Sequence, residues 1–291
     1  MSTDTIDVEG RPVRVQVEGP DDGVPLVLIH GIGRSLEDWN LLVPLLSAKH
    51  RVIALDMPGF GYSARRSEPA TLAALARGVL TTLDALGETR PVHLVGNSLG
   101  GAVSLQLLAL APDRVASVVL VNSAGFGPEV TYILRMLAIP VFGKVMLNRP
   151  TRAGLAHAER ALYADRKLAD TERVAHSLRL GRQPGAAAFM DELMHGLGTF
   201  RGGVRPEWRA ALLAAVAEYP QPMLIVWGDR DRILPPSQFV TARKVFPKAQ
   251  THLFPNTGHM PHIERPAELA TLVGDFVDSS IGRSAQDGTY S

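Results

Sequence analysis

Cysteine is absent from the 291-residue sequence. That excludes disulfides, thiolate metal ligands and a cysteine nucleophile, and it leaves the redox compartment open. Net charge is nearly absent too, because 30 basic and 29 acidic residues leave +1. The overall balance gives no reason to expect nucleic acid or an anionic membrane as partner. No apolar run reaches the roughly 20 residues that span a bilayer, so stable membrane insertion is not expected. Met1 to Asp7 has neither the basic nor the apolar region of a signal peptide. A cytoplasmic location is the resulting default. Internal repeats are missing, and no cofactor or metal site is expected. His262 lies three residues after His259 with Glu264 nearby, but no third ligand pattern accompanies them.

What remains is an ordinary globular composition, 46% hydrophobic, long enough for one large α/β domain or a domain carrying an insertion. Ile6–Glu9 and Val13–Glu18 alternate as a hairpin would. Apolar runs that read as buried strands follow at Pro25–Ile29, Arg51–Leu55, Val92–Val95, Val115–Val121, Pro222–Trp227 and Gln250–Phe254. Helical patterns separate them at Glu37–Ala48, Ala70–Leu86, Ala102–Leu110 and Ser237–Val245, and a last one spans Pro266–Val277. Alternation of this kind predicts a mostly parallel, doubly wound sheet. From Pro128 to about Ala217 the strand-like runs stop. Helical stretches rich in Ala, Leu, Met and Arg replace them at Tyr132–Leu147, Leu155–Tyr163, Asp170–Leu180 and Ala186–Leu197. The expected organisation is an α/β core over 1–127 and 218–280, an inserted all-helical cap over 128–217, and a disordered polar tail over 281–291. Tyr132–Leu147 is too short to cross a bilayer. It is expected to pack on the core and line a pocket, with a membrane-surface role as the lesser alternative.

The chemistry centres on Gly96-Asn97-Ser98-Leu99-Gly100. The pentapeptide pattern G-x-S-x-G occurs by chance in roughly one chain in ten of this size, so its context carries the reading. A strand precedes it and a helix follows. A strand turning sharply into a helix strains its central residue and leaves that side chain projecting above the sheet edge, beside helix N-terminal amides. A serine hydroxyl there needs a base, and histidine suits the task at neutral pH. His259 lies in the Gly-containing loop after the last strand, and Asp231 follows the preceding strand. Ser98, Asp231 and His259 thus form a nucleophile, acid and base in a chain order known for such sites. His30-Gly31-Ile32-Gly33 ends an earlier strand, and two readings stand equal there: the Ile32 N–H faces Ser98 and completes an oxyanion hole, or the stretch is a Gly-rich strand-to-helix turn. Gly31, Asn97 and Met260 are the expected substrate contacts, although Asn97 serves equally well to stabilise the elbow. His30 is expected to brace the oxyanion loop, and His262 to be a surface or loop-bracing histidine. His157, His176 and His195 fall in the helical region, where any could face the pocket.

His30-Gly31, Asp56-x-Pro58-Gly59-x-Gly61-x-Ser63, Gly96-x-Ser98-x-Gly100, Gly228-x-x-Asp231-x-x-x-Pro235 and Gly258-His259 jointly resemble the α/β-hydrolase superfamily, in its subgroup with a helical cap. The resemblance covers nearly the whole chain outside the tail. It implies the α/β-hydrolase fold, the Ser98, Asp231 and His259 roles, and an oxyanion hole from the Ile32 and Leu99 amides. Asp229 is the rival acid, but the family's acid sits three residues after the glycine, which selects Asp231. Serine rather than aspartate at the elbow argues against epoxide hydrolases and haloalkane dehalogenases. Hydrolysis of a small to medium apolar or aromatic carboxylic ester, through an acyl-enzyme, is the leading expectation. Asn122-Ser123-Ala124-Gly125 and the elbow also resemble carbon–carbon bond hydrolases of aromatic meta-cleavage products. Those enzymes usually carry tryptophan where this chain has Met260. A non-catalytic small-ligand receptor is the remote alternative, and a homodimer is admitted as an assembly.

Overall fold

The computed structural model describes residues 2–217 and 219–287, with side-chain detail as far as Ile281. Strands β1 (Asp4–Val8) and β2 (Arg11–Glu18) form an antiparallel hairpin whose turn residues Glu9 and Gly10 both take positive φ. Strand and helix then alternate: β3 (Val24–Ile29), α1 (Val43–Leu46), β4 (His50–Leu55), α2 (Leu72–Ala85), β5 (Val92–Asn97), α3 (Leu99–Leu110) and β6 (Val115–Val121). The segment after β6 holds α4 (Tyr132–Leu137), α5 (Phe142–Asn148), α6 (Arg152–Leu162), α7 (Thr171–Gly181) and α8 (Ala186–Leu197). A two-stranded ribbon, β7 (Gly198–Thr199) with β8 (Gly203–Val204), and α9 (Pro206–Val216) complete it. β9 (Met223–Gly228), α10 (Ser237–Val245), β10 (Gln250–Phe254), α11 (Pro261–Glu264) and α12 (Pro266–Asp287) finish the fold.

Eight strands make one sheet in the order β1-β2-β4-β3-β5-β6-β9-β10, parallel from β4 onward. Side chains alternate between two buried faces. Val27 and Ile29 of β3 enter the core under α2 and α3, while Leu26 and Leu28 enter the core that Trp39 and α12 close. Each such side chain contributes roughly 1.5–3 kcal/mol on burial, which makes the sheet a rigid platform. In its register Ile29 lies beside Gly96, Asn97 beside Val121, and Val121 beside Val226. The loops that leave the carboxyl ends of these strands therefore emerge along one edge, where open α/β sheets hold their ligands.

Four expectations need correction. The single helix over Glu37–Ala48 is a 3₁₀ turn (Leu36–Trp39) followed by the short α1, where Pro44 falls in the first turn because it lacks an N–H. Tyr132–Leu147 is two helices, broken where Pro140 precedes Val141 at φ 68°. The inserted region is helical except for the β7–β8 ribbon. Gly203 there (φ 68°) is passed so closely by Pro128 that a Cβ would sit 2.0 Å from its carbonyl oxygen. Finally, α12 continues through Asp287 into the expected tail, because no proline stops a helix already anchored by Leu269, Val273, Phe276 and Val277. Residues 288–291 lie outside the described residues.

Candidate active site

Ser98 joins β5 to α3 at φ 56° and ψ −118°, a conformation costly for a residue with a side chain. Its neighbours hold it there. A Cβ on Gly96 would lie 2.3 Å from the Gly100 carbonyl oxygen, and one on Gly100 would lie 2.1 Å from that of Ile29. Only glycine admits so tight a turn against the sheet. The Ser98 N–H donates to Val121 (3.0 Å), and its carbonyl accepts from Ala124 (2.9 Å). The hydroxyl does not cap α3, and Ser98 is nearly buried at the floor of a cavity. Among the described residues the Ile32 and Leu99 N–H groups have no acceptor, and both residues line that cavity. Gly31 packs directly beside Ser98.

On the neighbouring loops, His259 Nδ1 lies 2.8 Å from Asp231 Oδ2. A carboxylate oxygen accepts, so Nδ1–H donates, which in the neutral ring leaves the lone pair on Nε2. Asp231 is itself fixed by four donors: His259, the Asn122 amide at 2.7 Å, and the backbone N–H groups of Ile233 (2.7 Å) and Leu234 (3.0 Å). Asp229 instead accepts from the Thr257 N–H, as a turn residue does. The Asn97 amide donates to the carbonyls of Val121 and His259, both at 3.1 Å, and so ties the elbow to the histidine loop. Ser98 Oγ makes no hydrogen bond among the described residues. Gly258 and His259 thread beneath the end of α6: the His259 N–H donates to Leu162 (2.7 Å), and a Cβ on Gly258 would lie 2.5 Å from the same carbonyl. Glu264 clamps this crossing by accepting from Gly258 and Ala164.

His30 braces the loop that carries Ile32. Its Nε2 accepts from the Met57 N–H (3.0 Å) and its Nδ1–H donates to Gly31 (2.8 Å). Burial lowers its pKa, which keeps that neutral tautomer. Asp56 is a structural anchor, accepting from the Leu36 and Tyr62 N–H groups, and Gly61 wraps so closely that a Cβ would collide with its carboxyl carbon. His262 is fully buried on Trp39 with ring centroids 4.3 Å apart. Burial pushes its pKa down to about 3, and among the described residues neither ring nitrogen has a partner.

The cavity above Ser98 is partly open to solvent. Its wall is Ile32, Leu99, Ile233 and Leu234 from the sheet side, and Leu134, Met194 and Trp208 among others from the inserted helices. The single charged side chain in this lining, Arg135, donates its guanidinium to the carbonyls of Phe200 (2.7 Å) and Arg201 (2.5 Å). Met260 is not a substrate contact by position, since it packs with Tyr163 and Ile263 in a separate buried cluster. None of His157, His176 and His195 lines the cavity either.

Two groups of residues escaped the sequence reading. Asn122, at φ 46°, supplies the amide on Asp231. Its signal was an asparagine leaving the carboxyl end of a buried strand. The second group fastens the inserted helices to the loop after β3. Arg34 pairs with Asp38 and with Glu159 of α6, Ser177 of α7 donates to Glu159, and Ser35 meets His176 at 2.8 Å. Burial opposes the charge on Arg34, but Asp38 and Glu159 outweigh it and hold the guanidinium protonated well above its ordinary range. Nothing in the local pattern marks residues so far apart as partners.

Comparison with known proteins agrees with this architecture. Residues 24–266 match the alpha/beta hydrolase fold family, and the chain belongs to it. It is 33% identical over 280 residues to a 2-hydroxymuconate semialdehyde hydrolase of a Pseudomonas species, covering 91% of this chain and 90% of that one. It is also 36% identical over 266 residues to a dihydrolipoyllysine-residue acetyltransferase component of an acetoin cleaving system from Pseudomonas putida. That match covers 90% of this chain but only 66% of the relative's length. Among solved structures, a meta-cleavage product hydrolase from Pseudomonas fluorescens superposes with a TM-score of 0.79 at 26% identity, covering 95% of this chain and 98% of that one. The protein is an enzyme of the hydrolase class.

Proposed function

We propose that the protein is a serine ester hydrolase acting on a small to medium apolar or aromatic ester, with the helices over 128–217 as a cap on its active site. The observation that carries this reading is the oriented His259–Asp231 pair on loops beside a strained serine that opens into an apolar cavity. In the proposed cycle Ser98 Oγ attacks the ester carbonyl carbon as its proton passes to His259 Nε2. The carbonyl oxygen, now an oxyanion, meets the Ile32 and Leu99 N–H groups. Asp231 stabilises the imidazolium. Collapse expels the alcohol, which takes the proton from His259, and water repeats the sequence to release the acid. Hydrolysis of p-nitrophenyl esters from acetate to dodecanoate tests this, with the chain-length optimum sizing the cavity. Ser98→Ala should lower turnover by roughly a thousandfold or more and abolish labelling by a fluorophosphonate. A folded wild-type protein that hydrolyses none of these esters would sink the reading.

A second reading is supported by the relatives, several of which are named as hydrolases of dienoate meta-cleavage products. Such substrates are carboxylates. The only charged side chain in the cavity wall is Arg135, two of whose N–H groups are engaged by backbone carbonyls, and the rest of the lining is mostly apolar. That favours the ester. Turnover of a 2-hydroxy-6-oxo-dienoate faster than any ester would reverse the ranking.

A further inference from the structure

A chain of almost zero net charge carries one strongly biased segment. Residues 130–158 include Arg135, Lys144, Arg149 and Arg152 and not a single aspartate or glutamate. Among the described residues none of these four forms an ion pair. The carboxylates of α8, which packs on α5, are turned to other work: Glu192 pairs with Arg65, and Asp191 lies beside His195. The same segment exposes apolar side chains that a soluble surface would ordinarily bury. Tyr132 is 60% exposed, Val141 76%, Phe142 48% and Val145 54%. Phe142 and Val145 share one face of α5, and Val141 stands at the tip of the α4–α5 turn, with exposed Lys144 and Arg149 flanking them. Contiguous exposed apolar surface set among basic groups is the pattern of an interfacial membrane contact.

We infer that the exposed face of the α4–α5 hairpin docks reversibly on an anionic phospholipid surface. Charge complementarity selects this occupant, because unpaired cations next to apolar side chains suit anionic headgroups over an acyl layer. A second copy of the chain would bring the same exposed cations, Lys144 and Arg149, together. The position of the hairpin gives docking a consequence. Leu134, Arg135 and Ala138 of the α4 segment line the cavity above Ser98, so the element at the bilayer is also a wall of the pocket. Delivery of a membrane-dissolved ester to that pocket rests on the ester-hydrolase reading, but the docking does not.

Flotation with vesicles tests the docking without any need for turnover, using phosphatidylcholine alone and phosphatidylcholine with 30% phosphatidylglycerol (about 30 mol%). The wild type and the inert Ser98→Ala protein should float with the anionic vesicles and not with the neutral ones. Phe142→Ser with Val145→Ser should weaken this by about tenfold or more. Lys144→Gln with Arg149→Gln, a pair on the surface that cannot disturb folding, should weaken it by about thirtyfold. Both double variants should keep wild-type activity on a soluble short-chain ester. Failure to float, or flotation indifferent to lipid charge and to Lys144 and Arg149, overturns the inference. So does a dimer, seen by light scattering, that Phe142→Ser with Val145→Ser splits while vesicles bind nothing, since the face would then be an interface between copies.

Discussion

Along β3, β5, β6 and β9 almost every side chain is buried, whereas α4 buries none of its residues, α5 only Gly143 and α6 only Glu159. The sheet is held by apolar contacts that alternate with the strand pleat. Around α6 and α7 the attachment is instead polar, through the Arg34–Glu159 ion pair and the Ser35–His176 contact with the loop after β3, although α8 and α9 bury Phe189, Leu193, Leu212 and Val216 in the core. The first kind of attachment fixes atoms to a fraction of an ångström. The second tolerates displacement, and it suits an element that must admit a substrate to the cavity. The residues that would do chemistry therefore sit on sheet loops, and those that would choose and admit the substrate sit on the insertion.

The largest expected effect falls on the rigid side. Asp231→Asn leaves the loop its shape but offers His259 an amide in place of a carboxylate, so the ring loses the partner that sets its tautomer. Activity should drop about ten-thousandfold, and stability should fall by about 1–3 kcal/mol because the new NH2 group faces the Asn122 donor. A loss under tenfold in kcat/KM would mean that the sheet loops do not carry the chemistry. On the insertion side, Arg34→Gln leaves Asp38 and Glu159 as buried carboxylates without their cation. Stability should fall by about 3–5 kcal/mol in urea unfolding, and limited proteolysis should cut first between residues 128 and 217. Cleavage beginning in the sheet would break the contrast between the two regions.

This division also explains what the sequence disclosed. Ser98 was legible because glycines at 96 and 100 are a local steric requirement, and Asp231 and His259 because each follows a strand of unmistakable apolar character. The ion pair of Arg34 with Glu159 spans 125 positions, and the amide of Asn122 on Asp231 spans 109. No periodicity reports contacts of that range. The two misread helices failed for a different reason. Leucine spacing around Pro44 and Pro140 imitates one continuous helical face, but Pro44 stands in the first turn of a new helix and Pro140 in the break between two.

A smaller effect separates the regions by pH. His262 is neutral in the folded chain, with its pKa pushed down to about 3 by burial, against about 6.5 when unfolded. Below that unfolded value the unfolded chain binds the extra proton. The contribution of His262 is thus fully present above about pH 6.5 and is lost as pH falls towards 3, by roughly 2 kcal/mol between pH 8 and pH 5. Burial depresses His93 (to about 4) and His30 in the same direction. His262→Phe keeps the ring on Trp39, removes two unpartnered nitrogens and should flatten the pH dependence by that amount. Urea midpoints at pH 8 and pH 5 measure it, and an unchanged difference would show that His262 is protonated in the folded protein.

The smallest effect is expected at the tip of the insertion, where stability and surface chemistry oppose one another. Val141 is a β-branched residue at φ 68°, 76% exposed. Such a backbone costs about 1–3 kcal/mol, and so exposed a side chain recovers little of that by packing. Glycine, having no Cβ, reaches φ 68° and ψ −53° with less strain. Val141→Gly should therefore raise stability by about 1 kcal/mol, the reverse of the usual sign for a substitution. Anionic vesicle binding should weaken in the same variant, because the apolar tip is gone. A gain in stability with a loss of lipid binding makes the strain at Val141 a cost of its surface role. A variant of unchanged stability would instead mean that the turn, held by the Phe142 N–H on Pro140 at 2.8 Å, absorbs the strain without help from residue 141.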